Sequence, residues 1–127
     1  MKPIWVVDDD QSIRFVLEKA LQREGFSVRC FASPREVLEA LQTDAGASGA
    51  AVAVLMHSLA FGTLKPYVGA DTLSKSNIEM TLDVMAHSLV YWAQDLVRRG
   101  MMPAGGRIFS MTSSGSTRVI ASYGAVS

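Results

Sequence analysis

One cysteine, Cys30, stands among 127 residues, so no internal disulfide can form and a reducing compartment suits the chain. An excess of either charge is also missing: twelve Lys and Arg balance twelve Asp and Glu. Zero net charge supplies no general attraction to nucleic acid or an anionic membrane, and little repulsion between copies of the chain. No apolar run approaches the roughly 20 residues that span a bilayer. The start, Met-Lys-Pro-Ile-Trp-Val-Val, has a basic residue but neither the apolar core nor the cleavage site of a signal peptide. The expectation is a cytoplasmic protein with no nucleic-acid or membrane partner. His and Cys do not recur at zinc spacing, which argues against structural zinc.

What is present suits a folded domain. Apolar residues make up 49% and charged residues 19%, a balance that argues against disorder and for a buried core. Residues 3–7 form a short apolar run closed by Asp8-Asp9-Asp10, as in a strand covered on both faces. Ile13, Val16, Leu17, Ala20 and Leu21 then repeat at helical spacing, with Asp10 or Ser12 to cap the start and Gly25 to end the helix. Residues 26–31 read as a second strand. Ser33-Pro34-Arg35-Glu36 predicts a capped helix start: N-cap, proline at the first position, and a capping box. Its buried stripe is Val37, Leu38, Ala40 and Leu41.

The small, polar stretch from Thr43 to Ala50 changes character and reads as a joint, centred on residues 45–51. Residues 51–56 form a third strand. An irregular excursion follows, with Gly62, Pro66 and Gly69, and then a long helix over residues 74–99. Leu82, Met85, Leu89, Trp92, Ala93, Leu96 and Val97 mark its apolar face, and Met80, Val84 and Tyr91 widen it beyond what one sheet covers. Residues 107–111 make a fourth strand after Gly105-Gly106. Alternating strands and helices predict an α/β fold, a three-layer doubly wound parallel sheet of flavodoxin/Rossmann-like type, with about four strands in the order 2-1-3-4. All 127 residues would form one domain. Strand 4 would be a bare edge, and that edge with the wide helix predicts a homodimer, by pairing or segment swap.

Two families are visible in the motifs. Trp5-Val-Val-Asp8-Asp9-Asp10-Gln-Ser-Ile-Arg14, and residues 1–44 as a whole, resemble a response-regulator receiver domain of the nitrogen-regulator type. That resemblance implies carboxylates at the end of strand 1 that hold Mg²⁺ for phosphoryl transfer to an aspartate at the end of strand 3. Asp8 and Asp9 match the acidic pair and Asp10 is a common third acid, but strand 3 ends in Met56-His57-Ser58, without the acceptor. Thr112 occupies the place of the family's switch hydroxyl. Weak Mg²⁺ binding at Asp8, Asp9 and Asp10 is weighed against a role in ending the strand and capping the helix.

From Val52 onward, His57-Ser58-Leu59-Ala60-Phe61-Gly62 and the stretch Gly106 to Gly115 resemble an internal part of an enoyl-acyl-carrier-protein reductase of the short-chain dehydrogenase superfamily. The resemblance implies that Ser58, Leu59 and Ala60 lie against the nicotinamide-side ribose and that Tyr123 is the proton donor. A tyrosine needs a tuned pKa for that role, and the family's lysine, seven residues on, would fall beyond Ser127. The family's first loop tyrosine is Ser113 here. Asp8-Asp9-Asp10 replaces the glycine-rich turn of a dinucleotide fold, so NAD is not expected as a cofactor.

The remaining motifs have blander readings. His57 reads as a turn residue and His87 as a packing or surface residue of the long helix. The methionines Met80, Met85, Met101, Met102 and Met111 suit core and interface filling. Ser113 and Ser114 have no adjacent base, so hydrolase chemistry is not expected. The expectation is an engineered or recombined chimera with no intact native activity, hence not an enzyme, in which Tyr123, Ser113 and Ser58–Ala60 are vestigial. The alternatives are a residual Mg²⁺ module or a crippled NAD(P)-dependent enoyl reductase.

Overall fold

The computed structural model describes residues 2–48 and 51–127. They group into two compact units, Met1–Ala50 and Ala51–Ser127, each with its own small core.

The first unit is β1 (Ile4–Val7), α1 (Gln11–Arg23), β2 (Val28–Phe31) and α2 (Pro34–Ser48). β1 pairs with β2 in parallel, Ile4 opposite Val28 and Val7 opposite Phe31. Val6, Phe31, Val37 and Leu41 are buried. Asp10 caps α1, its carboxylate accepting the amides of Ser12 and Ile13, and Gly25 follows the helix with φ of 84°, a conformation glycine adopts without a Cβ penalty. At α2 the Ser33 hydroxyl accepts the Glu36 amide at 3.3 Å, while the Glu36 carboxylate reaches back one residue further, to the Ala32 amide at 2.9 Å. Arg29 lies over the rings of Trp5 and Phe31, 4.6 and 5.3 Å from their centroids, and pairs with Asp44 at 2.9 Å. The half-buried Cys30 donates a long contact from Sγ to the Arg14 carbonyl at 3.9 Å.

The second unit is β3 (Val54–His57), α3 (Lys75–Leu82), a π-helical turn (Asp83–His87), α4 (Ser88–Arg98), β4 (Arg107–Ser110) and a 3₁₀ turn (Ser114–Ser116). β3 and β4 are parallel, Val54 opposite Arg107 and His57 opposite Ser110. A capping box starts α3: the Ser74 hydroxyl accepts from the Asn77 amide, and the Asn77 side chain accepts from the Ser74 amide. Leu73, Leu96, Met101 and Ala125 form the apolar core, joined by two buried polar residues, His57 and Thr81. Gly62 lies tight against this core, since a Cβ there would be 2.5 Å from Thr81 Cγ2 and 2.7 Å from Val126 Cγ1.

The α/β class and the parallel pairing are as expected, while the joint and the long helix differ in detail. The hydrogen-bonded strand pairs are β1-β2 and β3-β4, each inside its own unit, and both are neighbours in the expected order 2-1-3-4. The apolar face of α1 is open: Ile13, Val16 and Leu17 are 47%, 62% and 41% exposed, because two short strands are too narrow a platform to cover it. The joint is helical up to Ser48, alanines at 45 and 47 outweighing the single Gly46 in helix preference; residues 49–50 of the expected joint lie outside the described residues. The long helix is interrupted by its π turn.

Candidate functional site

The acidic turn of the first unit is locally satisfied. Asp8 follows β1, its amide donating to the Phe31 carbonyl at 3.1 Å. Its Oδ1 accepts the Asp10 amide at 2.8 Å, and Asp10 Oδ1 accepts the amides of Ser12 at 2.7 Å and Ile13 at 3.2 Å. The Arg14 guanidinium reaches back to the Asp8 carbonyl at 2.6 Å. Asp9 and Asp10 are exposed and Asp8 is half-buried. Among the described residues, no group of three His, Cys, Asp or Glu side chains is placed to hold a metal ion.

In the second unit, β3 and β4 deliver two loops to one end of their sheet. Parallel strands put their C-terminal ends on the same side, and the Met111 amide fastens that end by donating to the His57 carbonyl at 3.0 Å. Ser58, Leu59 and Ala60 are exposed on the first loop. On the second, Ser113 Oγ accepts the Gly115 amide at 3.2 Å, and Thr112 Oγ1 donates to Ser116 Oγ at 3.2 Å. The Thr112 and Ser113 hydroxyls therefore serve the loop's own turn. Ser114 is exposed beside them.

Tyr123 does not sit in a regular helix. The final segment runs through turns, the Tyr123 amide donating to the Ile120 carbonyl and its carbonyl accepting from Val126 and Ser127. Ser122, immediately before it, has φ of 65°, a left-handed backbone that serine adopts at a cost. The Tyr123 ring packs on Gly115: a Cβ at that glycine would be 3.1 Å from Cδ2. The structure thus brings Tyr123 to the Ser113 loop. The tail folds back on the excursion after β3, with the Tyr67 hydroxyl donating to the Gly124 carbonyl. Between them is an open cleft of about 540 Å³, whose walls include Pro66, Tyr67, Arg118, Val119, Ile120 and Tyr123. Ser113 and the Ser58–Ala60 turn are not among those walls.

His57 is the residue that sequence reasoning undervalued. It is 5% exposed, and its Nε2 lies 2.7 Å from Ser88 Oγ. Ser88 Oγ in turn donates to the Val84 carbonyl at 2.6 Å. A hydroxyl has one proton, so with Val84 as its acceptor Ser88 must accept from His57, which places a proton on Nε2. Burial pushes the His57 pKa below its ordinary value, consistent with a neutral ring. The only sequence signal was an imidazole at the end of an apolar strand. His87 is exposed, with Nδ1 3.9 Å from the Asp83 carboxylate, which also accepts the Tyr91 hydroxyl at 2.8 Å.

Comparison with known proteins accounts for both halves. The family model described as "Enoyl-(Acyl carrier protein) reductase" matches residues 5–127. The chain is also 54% identical over 41 residues to the DNA-binding transcriptional regulator NtrC of Proteus hauseri, and 59% identical over 39 residues to that of Klebsiella pneumoniae. These matches cover 32% and 31% of the chain, but only 9% and 8% of the regulators. A mutant short-chain dehydrogenase/reductase from Serratia marcescens superposes with a TM-score of 0.70 at 19% identity, over 97% of this chain and 50% of that one; at that identity the likeness is one of fold. No helix among the described residues is long and apolar enough to cross a membrane. The chain belongs to the enoyl-(acyl carrier protein) reductase family, and it is a chimera in which a short-chain dehydrogenase fragment is combined with an NtrC-type segment.

Proposed function

We propose that this chain is a recombined or engineered α/β hybrid whose property is its fold, a scaffold that runs neither hydride transfer nor phosphoryl transfer. One observation carries the reading: the turn after β1 is closed by its own carboxylates. A dinucleotide site needs free amides at that helix start to meet the pyrophosphate. Here the Ser12 and Ile13 amides already bind Asp10, and the Asp10 amide binds Asp8. A diphosphate would have to displace these bonds and then sit among three acids. The residues present do not fit the cofactor. At the other loop Ser113, where the family has a tyrosine, caps its own turn by accepting the Gly115 amide.

The test is titration of NADH and NADPH by calorimetry, with crotonyl-thioester turnover followed at the nicotinamide absorbance. Flat isotherms and no turnover are expected. Saturable binding of either nucleotide would revive the reading of a crippled reductase.

A second reading, weak Mg²⁺ binding, draws on the same turn. Asp8 and Asp10 each spend one carboxylate oxygen locally, and Asp9 is exposed between them. Few carboxylates and no rigid cage imply an affinity of about millimolar or weaker. A magnesium titration followed by amide chemical shifts separates the two: movement at Asp8 to Asp10 supports the module, and silence there removes it.

A further inference from the structure

The π turn between α3 and α4 is held by an identifiable contact. At Ser88 the backbone amide donates to the Asp83 carbonyl, five residues back, where an α-helix would pair it with Val84. The Val84 carbonyl accepts the Ser88 hydroxyl instead, at 2.6 Å. The side chain thus replaces the amide that the wider turn has taken away. His57 Nε2 donates to Ser88 Oγ from the end of β3, which directs the hydroxyl proton to the Val84 carbonyl. The geometry also has a packing rationale. Thr81 and Leu96, the two most fully buried side chains of the second unit, are fifteen residues apart. Four α-helical turns take only about 14.4 residues, and the wider turn absorbs the excess.

We infer that Ser88, oriented by His57, is the lock of a two-state helix. With the hydroxyl on Val84 the segment Asp83–His87 is π-helical. When that contact is lost, the amide of residue 88 returns to Val84 and the segment becomes α-helical. The slip of one residue turns α4 by about 100° relative to α3. His57 immediately precedes the Ser58–Ala60 turn and its carbonyl holds Met111. A change at this end of the β3-β4 sheet is therefore felt in the phase of a helix more than thirty residues away in sequence. The inference concerns the second unit alone and stands whether or not the chain binds a nucleotide.

Two measurements on the full chain test it. Nitrogen-15 NMR of the wild-type imidazole at neutral pH should show a protonated Nε2; the Nδ1–H tautomer, with Nε2 bare, would overturn the hydroxyl assignment. Crystal structures, or hydrogen-bond scalar couplings, of Ser88→Ala and Ser88→Thr should then diverge. In Ser88→Ala the bond to the Asp83 carbonyl should be lost and replaced by one to Val84, whereas Ser88→Thr should retain the π pattern. Persistence of the π turn in Ser88→Ala sinks the lock. If Ser88→Ala does not fold, the tautomer and the Ser88→Thr pattern still decide the matter, because loss of the π turn in a variant that keeps the hydroxyl contradicts the inference.

Discussion

Single residues in this chain are constrained by close approach more than by chemistry. At Gly62 an added methyl would overlap Thr81 and Val126, both from segments distant in sequence. Overpacking of this kind costs about 1–3 kcal/mol, so Gly62→Ala should lower the denaturation midpoint of the second unit, as thermal melts followed by circular dichroism would show. His57 gives a pH dependence of definite sign. Its pKa in the fold is lowered by burial, so the unfolded chain binds the extra proton first as pH falls. Stability is then fully present above the ordinary histidine value of about 6.5 and drains away below it, down through the folded-state pKa. Urea unfolding at pH 8 and pH 5 should show the loss, and His57→Gln should reduce the difference. Equal slopes in the two proteins would remove His57 as the cause.

At the scale of elements, what could be read early was what lies close in sequence. The caps of α1 and α2 and the glycine after α1 were legible because an N-cap acts on amides two or three residues away. Asp10→Ala should therefore cost about 1 kcal/mol in chemical denaturation of the first unit. The Arg29 clamp is a second local device. Exposed cation–π contacts contribute about 0.5–1 kcal/mol, and the exposed Asp44 pair adds little. Arg29→Ala should therefore destabilise the first unit by about 1 kcal/mol and change the emission of Trp5. The π turn was invisible in the heptad-like pattern of residues 74–99, because it depends on a hydrogen bond spanning 31 residues. The openness of the α1 face was not legible for a related reason: apolar periodicity says which side wants cover, and only the width of the adjacent sheet says whether cover exists. Of the candidate site, the acidic turn was readable from its spacing. The folding-back of Tyr123 onto Gly115 was not, since it rests on a left-handed serine and on packing against Tyr67 and Gly62.

The whole molecule carries more uncovered apolar surface than its charge can offset. Val54, Met56, Ile108 and Phe109 of the β3-β4 sheet are each at least 45% exposed, as are Val90, Tyr91 and Val97 of α4. Sheets of parallel strands are ordinarily covered on both faces, and a chain of zero net charge has little repulsion to hold copies apart. A homodimer through the β4 edge and the long helix is the expected state, and multi-angle light scattering at high micromolar concentration should return twice the chain mass. A monomer under those conditions would contradict it. The thiol at Cys30 offers a way to follow one half of the chimera. Burial, and secondarily the charge of Glu18, hold its pKa above the ordinary value, so near neutral pH it stays protonated and reacts slowly with a disulfide reagent. Because it is the chain's single sulfhydryl, the rate of Ellman labelling becomes a clock for opening of the receiver-like segment around it.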